Sequence, residues 1–133
     1  MNPEQLLNRF STHLKNIVAK AMSLATSLNN PEVSPLHLFV ILLEEEGSIA
    51  NEILKKYNIE KKYIYNLIDN LSQIPKTESN TTTVPNLDEN SKKIIEKAMV
   101  TAFNRGHKHV GTEHLLFSFI NTNNKTIENI INK

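Results

Sequence analysis

Val33-Ser34-Pro35-Leu36-His37-Leu38 returns 77 residues later as Val110-Gly111-Thr112-Glu113-His114-Leu115. The correspondence extends without a gap over residues 18–56 and 95–133. It sets Ala21-Met22 on Ala98-Met99, Ala25 on Ala102 and Ile53-Leu54 on Ile130-Ile131. Nine of the 39 pairs are identical, and many others exchange one apolar residue for another. Self-similarity at a fixed offset marks one supersecondary unit used twice, the copies packing together. A duplicated helical unit is more often a binding surface than a catalyst.

Apolar residues recur at helical spacing on either side of these strings. Leu14, Ile17, Val18, Ala21, Leu24, Ala25 and Leu28 form one stripe, with Ser11 as the N-cap that accepts an orphan backbone N–H. Asn29-Asn30-Pro31 ends this helix, because Asn tolerates the left-handed C′ conformation and Pro cannot continue it. The counterpart of Asn29 is Gly106, the other residue favoured there, so the repeat preserves a backbone geometry as well as a hydrophobic pattern. Ser34-Pro35 opens the next helix, proline standing at the first helical position. The run Leu36–Leu43 is apolar nearly all round, which predicts the buried helix of its unit, and Thr112–Ile120 is its counterpart. Gly47 breaks the chain before a short helix over Ser48–Tyr57, matched by Lys125–Lys133. A fourth helix, about Glu60–Leu71, puts Ile64, Leu67, Ile68 and Leu71 on one face.

Residues 74–87 are polar and carry Pro75 and Pro85 near their ends, which predicts a linker. A helix from about Asp88 to Arg105, capped by Asp88 or Asn86, opens the second copy. There is no alternating strand pattern of useful length. The expected fold is therefore all-α, a single domain over residues 1–133 built as a pseudo-twofold duplicated helical repeat. Repeat one covers about 11–73, the linker 74–87 and repeat two 88–133. The second repeat is truncated before its last helix, because a counterpart of Glu60–Leu71 falls beyond Lys133; the natural polypeptide is expected to continue.

Composition excludes several classes of function. The formal net charge is +1, and Lys and Arg are spread along the chain, so there is no electrostatic footprint for nucleic acid. The longest apolar run, Leu38–Leu43, is far short of the ~20 residues that span a bilayer, so no membrane partner is expected. Cysteine is absent, which removes disulfides, Cys-ligated zinc and a thiol nucleophile, and fits a reducing compartment. No secretory signal is visible at Met1-Asn2-Pro3-Glu4, and a cytoplasmic location is expected. The three glycines form no phosphate loop, and no Gly-x-Ser-x-Gly elbow exists. No catalytic residues, cofactor or metal are assigned to this chain, and it is not expected to be an enzyme.

The string Val110-Gly111-Thr112-Glu113-His114-Leu115-Leu116, preceded by Ala98, Ala102 and Gly106-His107, resembles the signature of the Clp N-terminal repeat. Val33–Phe39 is a degraded version of it, and Arg9-Phe10-Ser11 resembles that family's opening. The family is the N-domain of ClpA/ClpC/ClpB-type AAA+ protein unfoldases. The resemblance implies two four-helix repeats that sit flexibly on an ATPase ring and receive adaptor proteins and unfolded or tagged substrates. It places ATP only in ATPase modules outside this chain, within the same polypeptide. In ClpC-type relatives the glutamate of the motif is implied in gripping the guanidinium of phosphoarginine, once in each repeat. Only Glu113 matches it, since the first-copy position is Leu36. The family's threonine near the start of the first helix matches Ser11, and its second-repeat partner falls on Asp88, whose charge would repel phosphate. Glu113, Ser11, Phe10 and Thr112 are thus the candidate contact residues.

Three features have competing readings. His107, His109, Glu113 and His114 crowd into eight residues, as a metal site or as a helix end followed by a helix-entry histidine. A metal-dependent enzyme using His107, His109 and His114 is the remote alternative. Glu44-Glu45-Glu46 reads as a solvated acidic helix end, or, because acids are unfavourable at a helix C-terminus, as a partner contact. Phe10 reads as a hydrophobic staple before a cap, or as an exposed docking residue. The expected function is a non-catalytic substrate- and adaptor-binding N-domain of a Clp-type unfoldase; the alternative is a free-standing protein of the same fold that regulates access to adaptors or substrates.

Overall fold

The computed structural model of the protein describes residues 8–71, 86–121 and 125–131. Among them, seven α-helices and two two-residue strands follow one another: α1 Thr12–Ser27, β1 Glu32–Val33, α2 Pro35–Glu44, α3 Ile49–Leu54, α4 Lys61–Leu71, β2 Asn86–Leu87, α5 Glu89–Asn104, α6 Thr112–Ile120 and α7 Lys125–Ile131. The predicted Ser48–Tyr57 helix is two pieces, α3 and a 3-10 turn over Lys55–Tyr57. Most of the expected linker lies outside the described residues, but its last two, Asn86 and Leu87, are β2.

The two long helices begin at the caps their sequences offer. Ser11 Oγ accepts from the Leu14 amide at 3.1 Å and Asp88 Oδ1 from the Ser91 amide at 2.7 Å, so each long helix has one orphan donor satisfied by its cap. Their ends match as well. Asn29 (φ 58°) and Gly106 (φ 73°) both take the left-handed conformation. Behind them Asn30 N–H donates to Ala25 O at 2.8 Å and His107 N–H to Ala102 O at 2.9 Å. Asn29 N–H bonds Thr26 O, and Gly106 N–H bonds Phe103 O, both at 3.0 Å. The same Schellman pair therefore closes both helices, and only Gly or Asn occupies its turning residue at low cost.

The strands were not legible in the sequence. β1 and β2 pair in parallel, Glu32 opposite Asn86 and Val33 opposite Leu87, and a second parallel bridge joins Phe10 to Val110. Subtracting or adding 77 turns one pairing into the other, so the two ladders are images of each other across a pseudo-twofold axis. Segments this short leave no period-two pattern.

The apolar faces meet in one contiguous core. α2 is buried from Pro35 to Leu42, as its all-round apolar sequence predicts. Phe39 of α2 meets Phe119 of α6 edge to face, with centroids 5.2 Å apart, joining the repeats at the centre. α4 buries Ile64 and Ile68 against this core and packs on α2. Phe10 is buried as well, so its ring belongs to the core and not to an exposed docking surface.

The acidic run divides in a way its sequence does not show. Glu44 and Glu46 are exposed, but Glu45 is buried and accepts from Lys20 Nζ at 2.8 Å and Asn16 Nδ2 at 3.3 Å, with His13 Nδ1 at 2.9 Å. Burial favours its neutral form, yet the bonds from His13, Lys20 and Asn16 and the charge of Lys20 outweigh this and hold the carboxyl below its ordinary range. The reading of this run as wholly solvated is corrected at Glu45: the carboxylate ties the end of α2 to α1.

Candidate functional site

A cleft of about 550 Å³ opens where the start of α1, the turn before α3 and the loop between α5 and α6 converge. Ser11, Ile49, His107, Thr112, Glu113 and His114 are among the residues lining it. The bridge between Phe10 and Val110 builds it. Ser11 N–H donates to Val110 O at 2.8 Å, and Val110 N–H to Arg9 O at 2.7 Å, which brings the first cap of repeat one beside the α6 entry of repeat two.

This crossing corrects the expected pairing of site residues. Reasoning within each repeat places Ser11 with Leu36 and Asp88 with Glu113. In the fold, Ser11 shares its cleft with Glu113, while Asp88 donates its backbone amide to Val33 O at 2.9 Å, on the Leu36 side of the axis. The repulsion expected between Asp88 and a phosphate therefore does not arise at Glu113. The signal that could have found this is the register of two bridges too short to read from sequence.

Glu113 is partly exposed and stands in the first turn of α6, where the helix dipole favours a carboxylate. Its carboxylate lies back over Gly111, in space that a Cβ on residue 111 would occupy. Thr112 is buried, and its Oγ1 accepts from the Ala50 amide at 3.2 Å, so this hydroxyl joins the repeats by capping α3. Its counterpart, Pro35, has no hydroxyl to offer. Ile49 supplies an exposed apolar edge.

The histidines divide by role. His114 Nδ1 accepts from the Gly111 amide at 2.8 Å and His114 Nε2 lies 2.8 Å from His107 Nδ1. Both ring nitrogens of this buried residue are thus engaged in the local structure, and desolvation leads in pushing its pKa down. Among the described residues no three His, Cys, Asp or Glu side chains gather in a metal-binding group. On this geometry His114 is a helix-capping residue, with both of its ring nitrogens engaged. In repeat one His37 does the same work. Its Nδ1 accepts from the Ser34 amide at 2.9 Å, and its Nε2 meets Asn30 Oδ1 at 2.8 Å.

These features define a class: a double helical repeat with a cleft, carrying Ser11 and Glu113, where the repeats cross. The chain belongs to the family of Clp repeat (R) N-terminal domains, whose model matches residues 9–133. It is 26% identical over 120 residues to the chaperone protein ClpB of Rhodopirellula baltica, covering 90% of this chain and 13% of that protein. It is 29% identical over 118 residues to the Clp protease ATP-binding subunit ClpC of Staphylococcus aureus, covering 89% of this chain and 14% of that one. The chain thus spans about one seventh of the length of these curated relatives. The N-terminal domain of the ClpV1 ATPase from the Escherichia coli EAEC Sci1 type VI secretion system superposes with a TM-score of 0.71 at 22% identity, over 93% of this chain and 74% of that one. A ClpV N-domain solved in complex with a VipB peptide superposes with a TM-score of 0.70 at 16% identity, over 96% of this chain and 81% of that one. Among the described residues no helix is long and apolar enough to cross a membrane.

Proposed function

We propose that this chain is a docking domain that presents protein substrates or adaptors to a Clp-type ATP-driven unfoldase, and that it performs no chemistry itself. The observation that carries this reading is the cleft in which Ser11 and Glu113, from opposite repeats, flank one opening beside the apolar edge of Ile49. Family membership supports the docking role, and the ClpV N-domain seen with a VipB peptide supports a peptide-sized occupant. In this reading the Glu113 carboxylate takes a guanidinium or ammonium group of the incoming chain, a charge-assisted contact at a helix N-terminus. The Ser11 hydroxyl, whose oxygen already accepts from Leu14, has its proton to donate to an anionic group beside it. A phosphorylated arginine offers both groups at once.

The test is binding of fluorescent peptides carrying lysine, arginine or phosphoarginine to the wild-type chain and to Glu113→Gln and Ser11→Ala. Loss of one charge-assisted contact predicts roughly tenfold weaker binding for Glu113→Gln, with Glu89→Gln on the surface of α5 as the silent control. Equal affinity in wild type and Glu113→Gln would remove Glu113 from the site. No binding of any peptide would remove the docking role from this cleft.

A further inference from the structure

The two capping histidines both take a backbone amide on Nδ1, a nitrogen that the Ser34 hydroxyl also approaches at 2.8 Å in repeat one, and they face different outer partners. A backbone N–H only donates, so the Nδ1 atoms that accept from Ser34 and Gly111 are bare, and each neutral ring carries its proton on Nε2. In repeat one that proton meets Asn30 Oδ1, an acceptor at every pH. In repeat two it meets His107 Nδ1, which accepts only while it is itself bare.

A proton added to His107 Nδ1 therefore sets two N–H donors face to face across 2.8 Å. His114 has no tautomeric escape, because moving its proton to Nδ1 confronts the Gly111 amide. A proton added to His114 itself meets the same amide. The first proton breaks the His107–His114 bond, and the second breaks the bond from the Gly111 amide to His114. His107 is exposed, so solvent protons reach it, while Asn30 is buried.

We propose that the His107–His114 pair is an acid-operated latch on the wall of the inter-repeat cleft, releasing the segment from Gly106 to Glu113 when the pair takes up a proton. The charged and titratable groups around it are known. Glu113 Oε1 lies 3.9 Å from His114 Nδ1, Arg105 stands at the exit of α5, Lys108 and His109 lie in the loop, and His13 lines the cleft from α1. Burial first, then His107 and Arg105, oppose charge on His114, and Glu113 alone favours it. The wall that would move holds both Gly111 and Glu113, so the latch controls the shape of the opening and the position of its carboxylate.

Amide and ring-nitrogen NMR of the purified chain between pH 8 and pH 5 tests this without any ligand. In the wild type, the Gly111 and Glu113 amides should move together with the His114 ring signals, before Ser34 moves. His107→Asn copies Asn30 and supplies a permanent acceptor. It should shift the midpoint of the Gly111 transition down by about one pH unit or more, while His109→Asn leaves it in place. An unchanged midpoint in His107→Asn, or a Gly111 amide that stays still to pH 5, overturns the proposal. If His107→Asn does not fold, His107→Gln, which also offers a permanent acceptor, takes its place, and an unchanged Gly111 midpoint there counts against the latch.

Discussion

The amide of Ser11 donates to the carbonyl of Val110 at 2.8 Å, and this bond carries a cap of one repeat into the cleft of the other. Its image, from Asp88 to Val33 at 2.9 Å, does the same on the opposite side. The residues that meet differ between the two crossings. One crossing brings together a hydroxyl and an accessible carboxylate, the other an acid and the buried Leu36. The two halves of a duplicated fold therefore offer different chemistry.

Gly111→Ala should separate the cleft's geometry from the stability of the fold. The φ of residue 111 is −109°, which alanine adopts freely, but its Cβ would displace the Glu113 carboxylate. Stability should stay level or rise by about 0.4–1 kcal/mol through the stiffer unfolded chain. Peptide affinity should fall with that of Glu113→Gln. Urea denaturation alongside the peptide assay checks both; a destabilised variant would show that the carboxylate cannot move aside.

At the paired helix ends, Asn29→Ala and Gly106→Ala should each cost about 1 kcal/mol, because both residues sit in the left-handed region. Asn29→Gly should be neutral or slightly stabilising. Equal denaturation midpoints for Asn29→Ala and Asn29→Gly would contradict the shared Schellman geometry.

Glu45→Ala should destabilise the chain by about 1–3 kcal/mol, since it strips His13, Lys20 and Asn16 of a common buried acceptor. Glu44→Ala and Glu46→Ala, on exposed neighbours, should stay within about 0.5 kcal/mol. The carboxyl is held below its ordinary 4.5, so its stabilisation is complete above that pH and is lost as pH falls through the lowered value. Acid titrations of unfolding, wild type against Glu45→Gln, should diverge least at the acid end.

Stability should also weaken well above the carboxylate range. His37 and His114 are both held below the ordinary histidine value of 6.5, burial being the leading cause. The unfolded chain then binds more protons than the fold as pH drops past 6.5, so the contribution is whole above that pH and erodes below it. Urea midpoints measured at pH 7.5 and 5.5 should differ in this direction. His37→Ala, which removes the acceptor of the Ser34 amide, should cost about 1–3 kcal/mol at neutral pH. A midpoint independent of pH between those values would contradict the neutral capping role of both rings.

Equivalence in sequence does not ensure equivalence in burial. Val40 is fully buried, whereas its counterpart Phe117 is 42% exposed. α4 packs on α2 in repeat one; among the described residues α6 packs against α3, α5 and α7, and none of these is a counterpart of α4. Val40→Ala should therefore cost more than Phe117→Ala despite removing fewer atoms, by roughly 1 kcal/mol or more. A thermal melt of the two variants decides the order.

The sequence by itself determined the helices, their caps, the duplicated unit and Glu113 as the odd residue of its motif. Those are local matters: a serine before a stripe, an asparagine or glycine after it, an apolar run with no polar face. Burial of Glu45, the paired roles of His37 and His114, and the company that Ser11 keeps were decided only by tertiary structure. Each depends on atoms distant in the chain, such as Lys20 for Glu45 and Val110 for Ser11. The pairings that set the crossings are one or two residues long, and their register follows from how the two repeats pack into one core, not from any pattern within the segments.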